Sequence, residues 1–185
     1  QMCIRDRSNT GLFNFVPKWF CEFITISREK DIKYCDASKN IPFKDSTVDL
    51  IYSCHMLEHL DKNETKVFFN ESFRVLKPNG LMRIVVPNFQ RFVDNYNYDN
   101  DTDKFIYDSC LVGEKPKTLI KKLQYLIQGH GWHHQMFNKD SLKSFKKFKF
   151  SDVQLIEPGK TKIGFNTSID LNERENESLY FEFIK

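Results

Sequence analysis

Two histidine-bearing stretches carry the residue types that could do chemistry. In His55-Met56-Leu57-Glu58-His59, two imidazoles stand four residues apart with a carboxylate between them. On a helix that spacing puts both rings on one face, one turn apart, where they could share a zinc ion with Glu58 as general base. At the end of a buried strand, the same His55 would instead be placed to take a proton, since its reference pKa lies near ~6.5. Its plainer role would be to orient and pack the strand-to-helix turn. The second stretch is Gly129-His130-Gly131-Trp132-His133-His134-Gln135. Its three imidazoles fit either a metal site or, more commonly, a polar loop facing a substrate.

The elements around these residues decide between the readings. Val48 to Ser53 (VDLIYS) is apolar on both faces, as a strand covered by helices on both sides must be. It delivers His55 to its carboxyl end. Glu64 to Leu76 follows with Val67, Phe68, Ser72, Val75 and Leu76 at helical spacing. Asn63 signals its start and Lys77-Pro78-Asn79-Gly80 its end. Leu81 to Val86 is the next strand, stopped by Pro87. Strand, helix and strand at this spacing form a βαβ unit, which predicts a parallel pair with a right-handed crossover.

Upstream, Trp19 to Ile26 and Ile32 to Cys35 read as two further strands. Residues 88 to 135 are polar and tyrosine-rich, with a basic helix around Lys117 to Ile127. The stretch is too long for a connecting loop and reads as a helical cap. Asn138 to Phe148 reads as a helix, and Ser151 to Glu157 and Ser178 to Ile184 as alternating strands around an irregular Lys160 to Asn176. The whole reads as one α/β domain.

Composition excludes several classes. The chain has 185 residues, enough for one full core and too few for two comfortable domains. A net charge of +3, with both signs intermixed, gives no footprint for nucleic acid or an anionic membrane. No apolar run approaches the ~20 residues of a membrane span. Five cysteines without a CxxC pair suit free thiols in a reducing cytoplasm.

Residues 1 to 7 (QMCIRDR) read as translated sequencing adapter rather than natural protein. On that reading residues 8 to 185 are the domain, begun in mid-gene. Its core would then be missing a strand, and poor folding is expected.

Three segments carry a family resemblance. They are Tyr34-Cys-Asp36-Ala37-Ser-Lys-Asn-Ile41-Pro42-Phe43, Val48-Asp49-Leu-Ile-Tyr-Ser53, and Arg74-Val-Leu-Lys77-Pro78-Asn79-Gly80. In this order and spacing they resemble class I S-adenosylmethionine-dependent methyltransferases of the type 11 kind. Asn79 replaces a glycine of the family's turn, a swap that the left-handed tolerance of Asn permits. The histidine stretch and the terminal Glu177-Ser178-Leu179-Tyr180 are similar to a bacterial subgroup found among predicted surface-polysaccharide enzymes.

The resemblance implies a Rossmann-like seven-stranded sheet of order 3-2-1-4-5-7-6, here without its first strand and glycine-rich loop, and S-adenosylmethionine as cofactor. It implies that Asp36 accepts from the adenine amine beside the small Ala37, and that Ser53 and Cys54 line the cofactor floor. Gly11 would be the tail of the lost loop, and Glu22 would stand in for an absent ribose-binding aspartate. His55 is the candidate base. Trp132 and His133 in the cap would choose the acceptor, a small molecule, sugar or lipid bearing an oxygen or nitrogen nucleophile. Two other readings stand beside this one. His55-x-x-Glu58-His59 also spells the H-x-x-E-H motif of inverzincin zinc hydrolases, and a truncated chain could be a noncatalytic remnant. Because the motif falls inside the stretch that the methyltransferase pattern covers, no metal is expected.

Overall fold

The computed structural model describes residues 25, 28–29, 35–112, 117–119, 122, 132–162 and 171–185. The chain divides into two compact units, Gln1–Asp36 and Ala37–Lys185. In the first, Thr25, Arg28 and Glu29 are helical. This overturns the end of the strand expected over Trp19 to Ile26, where Arg28 and Glu29 bring strong helix formers. Cys35 and Asp36 are irregular, so the expected second strand does not reach them. The remainder of both strands lies outside the described residues, as do Gly11 and Glu22.

The second unit holds a four-stranded mixed sheet. Its elements are β1 (Val48–Cys54), a 3-10 turn (Leu57–His59), α1 (Lys62–Val75) and β2 (Leu76–Pro87), then α2 (Phe89–Asp99) and α3 (Thr102–Asp108). After these come α4 (Lys139–Lys143), a second 3-10 turn (Ser144–Phe148), β3 (Asp152–Ile156) and β4 (Ser178–Ile184). The strand order is β1-β2-β4-β3. β1 and β2 are parallel, with Ile51 opposite Met82 and Cys54 opposite Val85. β4 runs antiparallel to both β2 and β3. This arrangement is the 4-5-7-6 half of the expected seven-stranded order, including its terminal hairpin.

α1 begins two residues before the expected start. Asp61, not Asn63, caps it: its Oδ1 accepts from the amides of Asn63 (2.6 Å) and Glu64 (2.8 Å), and Glu64 Oε2 accepts from the Asp61 amide. The reciprocal box satisfies donors that a helix start leaves unpaired. α1 buries Phe68, Phe69, Ser72 and Val75 against the sheet. β2 starts earlier than expected, at Leu76, but its register slips before Leu81 resumes opposite Leu50. Within the slip Asn79 adopts the anticipated left-handed conformation (φ 62°). At Gly80 a Cβ would stand 2.8 Å from the Lys77 carbonyl oxygen, so the close backbone approach requires glycine.

The core is aromatic on the α1 side. Phe69 stacks on Phe145 (4.4 Å) and Phe148 (5.1 Å) and meets Phe183 edge-on (5.4 Å). The helix expected over Asn138 to Phe148 is split at Ser144, and the 3-10 register eclipses residues three apart. Phe145 and Phe148 therefore point the same way, onto Phe69. Of the expected cap, α2 and α3 are helical, as are Leu119 and Lys122 of the basic segment. Among the described residues no helix is long and apolar enough to cross a membrane.

Candidate active site

The carboxyl end of β1 carries Ser53 and Cys54, with His55 in the bend that follows. Ser53 is buried, and its hydroxyl has no hydrogen-bond partner among the described residues. Cys54 and Tyr52, on the same strand, converge on Glu173 from the turn before β4. Tyr52 Oη donates to Glu173 Oε2 at 2.6 Å. Burial first, then the bond to Glu173, raises the Tyr52 phenol well above its usual range. Burial, reinforced by Glu173, likewise pushes the Cys54 thiol up to about 12. The Glu173 carboxyl is held low, chiefly by the Tyr52 hydroxyl.

His55 continues the β1 ladder through its amide, which donates to Val85 O (2.9 Å), and then turns with φ 47°. Histidine is among the few residue types that tolerate this conformation. The turn ends the strand and aims the ring at β4, where Nε2 lies 2.8 Å from Ser178 Oγ. Nδ1 lies 3.1 Å from Arg174 Nη1. A guanidinium can only donate, so Nδ1 holds a lone pair and Nε2 carries the proton that Ser178 accepts.

The H-x-x-E-H reading of a helical zinc pair is overturned. His55 sits in the non-helical bend and only Leu57–His59 forms a 3-10 turn, so the two imidazoles do not share a helix face. The motif instead buries Glu58, whose side chain is 1% exposed and whose two oxygens have no hydrogen-bond partner among the described residues. Three imidazoles surround it, with His55 Nδ1 at 3.4 Å and both His59 Nε2 and His133 Nε2 at 3.9 Å from Oε1. His59 and His133 meet edge-on at 5.0 Å.

The 132–135 segment is tied to this turn. The amides of His134 and Gln135 donate to the Glu58 carbonyl at 2.7 and 3.1 Å. Gln135 Nε2 donates to Leu60 O and Thr65 Oγ1, and His59 Nδ1 donates to Trp132 O at 3.1 Å. His133, expected to face substrate, is turned inward, its side chain only 9% exposed. Burial is the main cause that lowers its pKa, partly opposed by Glu58. Among the described residues no well-formed hydrogen bond reaches its Nδ1. His130 lies outside the described residues.

Asp36 closes the first unit and Ala37 opens the second, where it packs against the core. Sequence reasoning missed Arg174, Glu173 and Ser178. The pairing of β4 with β2 brings Ser178 to the end of that sheet, and no local pattern announces the contact.

Residues 22–84 match the family model of the methyltransferase domain. None of the curated proteins matches the sequence. Among solved structures the chain is similar to a SAM-dependent methyltransferase from Archaeoglobus fulgidus, at 15% identity and TM-score 0.46, over 89% of this chain and 81% of that one. A SAM-dependent methyltransferase from Thermotoga maritima is 15% identical with TM-score 0.47, over 89% and 69%. One from Methanosarcina mazei is 20% identical with TM-score 0.45, over 82% and 64%. The match over residues 22–84 covers the three segments in which the sequence motifs were found, and over that stretch the chain is similar to the methyltransferase domain.

Proposed function

We propose that the protein transfers a methyl group from S-adenosylmethionine to an oxygen or nitrogen nucleophile of a small molecule, sugar or lipid. The observation that carries this reading is the carboxyl edge of the parallel β1–β2 pair. Ligands of open α/β sheets bind beyond the carboxyl ends of the strands, and that edge holds the buried Ser53 hydroxyl, without a hydrogen-bond partner among the described residues, beside Cys54 and His55. An orphaned polar atom in this place fits a polar ligand that completes its hydrogen bonding. When bound, the cofactor supplies an electrophilic methyl group. Ser53 and Cys54 would line its site, with Asp36 accepting from the adenine amine and the small Ala37 leaving room for the ring. Gly11 and Glu22 keep the roles that the resemblance implies for them.

For the chain's own residues, the chemistry is mainly positioning. His55 is the candidate base. Proton uptake requires the Nδ1 lone pair, so the Arg174 guanidinium must withdraw from it first. Ser178 holds the ring's other nitrogen and fixes its direction. Trp132, half-buried at the start of the tethered segment, would contact the acceptor. The free thiols at Cys35, Cys54 and Cys110 suit a cytoplasmic enzyme.

Calorimetry on the purified protein tests the site. Asp36→Ala should weaken S-adenosylmethionine binding by ~1–3 kcal/mol, the cost of an unpaired buried donor. Unchanged affinity would remove Asp36 from the site. His55→Asn preserves the tolerance of positive φ and should lower turnover roughly 10²–10⁴-fold with little change in cofactor affinity. Lost binding with normal turnover at saturation would make His55 structural.

A further inference from the structure

We infer that Glu58, His59 and His133 form a binding site for one divalent transition-metal ion of the zinc class. Burying a carboxyl group without hydrogen bonds is costly, and both Glu58 oxygens are buried without a partner among the described residues. What faces it is a set of imidazoles, and their hydrogen bonding decides what they offer.

His59 Nδ1 donates to the Trp132 carbonyl, so in the neutral ring Nε2, 3.9 Å from Glu58 Oε1, carries a lone pair. At 3.9 Å the separation is too long for a hydrogen bond even if Nε2 were protonated. His133 Nε2 lies at the same distance from Glu58 Oε1. His55, the closest ring, has its Nδ1 held by Arg174 and gives Glu58 no proton. A carboxylate and two imidazole nitrogens thus lie within 4.8 Å of one another with no hydrogen bond between them. That is the donor set of a cation site.

The dimensions agree. The three ligand atoms lie within 4.8 Å of one another. Zinc bonds of about 2.0–2.1 Å in tetrahedral array set ligand atoms about 3.4 Å apart. The two 3.9 Å pairs with Glu58 need to close by about half an ångström, and the two imidazole nitrogens, within 4.8 Å of each other, by up to about 1.4 Å. The Nδ1–H bond from His59 to a backbone carbonyl is the outer-shell contact that orients a metal-binding imidazole. The amide bonds from His134 and Gln135 to the Glu58 carbonyl hold the two ligand-bearing segments in register without the ion. Two imidazoles and one carboxylate favour zinc over calcium or magnesium, which take oxygen ligands. Three protein ligands leave a fourth position open, next to His55.

Zinc titration of chelator-stripped protein, followed by calorimetry and elemental analysis, tests the site. One zinc per chain is expected, with a rise in Tm on adding zinc and a visible absorption band when cobalt(II) replaces it. Glu58→Gln keeps the side chain's size and should weaken zinc binding at least tenfold, roughly the lower end for disturbed zinc sites. His133→Ala should do the same. His134→Ala, which removes an exposed ring, should bind like the parent. Circular dichroism of each variant separates lost binding from lost fold, and cobalt absorption of His59→Ala gives a second reading. No zinc bound by the folded parent would overturn the inference. So would parent-like binding by folded Glu58→Gln and His133→Ala, and so would loss confined to His134→Ala, which would mark surface histidines as the binders.

Discussion

Arg83 and Glu182 stand opposite each other in the β2–β4 ladder, both almost fully buried, with Arg83 Nη1 donating to Glu182 Oε1 at 2.8 Å. The pair is the centre of a network. The guanidinium also donates to the Lys160 and Leu171 carbonyls and stacks over Tyr180 at 5.0 Å. Glu182 accepts from Thr161 Oγ1 and the Lys162 amide. Both charges lie on strands that read as core, yet they fasten the irregular segment before β4 onto the sheet.

Arg83→Met should therefore destabilise the protein by ~3–5 kcal/mol, since it leaves Glu182 as an uncompensated buried charge. Denaturant unfolding checks this. A loss below about 1 kcal/mol, the range of surface ion pairs, would mean that water reaches the site.

That network shows where the sequence could be read and where it could not. The βαβ unit was legible because Val48–Ser53, the apolar spacing of α1 and Leu81–Val86 each announce their period locally. So was the terminal hairpin, and so was the left-handed Asn79. What stayed illegible depends on contacts across the chain. Asp61 displaced Asn63 as the cap because the reciprocal bond from Glu64 favours a site two residues earlier. His133 reads as a substrate contact in a polar loop, and only tertiary packing turns it toward Glu58. The approach of Ser178 and Arg174 to His55 spans more than a hundred residues and follows from strand order, not from any motif.

Cys54 should be a slow thiol. Burial and Glu173 raise it from 9.0 to about 12, which leaves about a thousandfold less thiolate near neutral pH. Iodoacetamide at about pH 8 should label the exposed Cys110 well before Cys54. Peptide mapping reads the order directly. Labelling of Cys54 at a rate equal to Cys110 would show the Tyr52–Glu173–Cys54 cluster to be open in solution.

Glu71 gives stability a dependence on acid. Its carboxylate accepts from Arg74 Nη2 and Nε at 2.6 and 2.8 Å and from the Ile41 amide at 3.1 Å, and the arginine bonds hold its pKa below the ordinary 4.5. A depressed folded pKa means that the unfolded chain takes up the proton first. The stabilisation is thus complete above the unfolded value and lost as pH falls through the folded one. With the pair partly exposed to solvent, about 1 kcal/mol is expected. Glu71→Gln should lower Tm near neutral pH and flatten the fall in Tm below about pH 4.5. An unchanged acid slope in the variant would assign that slope to other carboxylates.

Arg174 should control His55. Its guanidinium occupies the Nδ1 lone pair, while Ser178 fixes Nε2. If His55 takes the acceptor's proton, the base is available only when Arg174 has left it. Arg174→Met should then raise turnover at saturating substrate, and it should do so only while His55 is present. In a His55→Asn background the same change should have no effect on turnover. The double-mutant cycle isolates that coupling, expected at 0.5–3 kcal/mol or roughly two- to a hundredfold in rate, as for residues in direct contact. An arginine that instead binds the acceptor would give another pattern: a raised KM in both backgrounds and no coupling in kcat. Additive effects would thus detach Arg174 from His55 and leave the histidine's interaction with Ser178 as a packing contact at the end of β1.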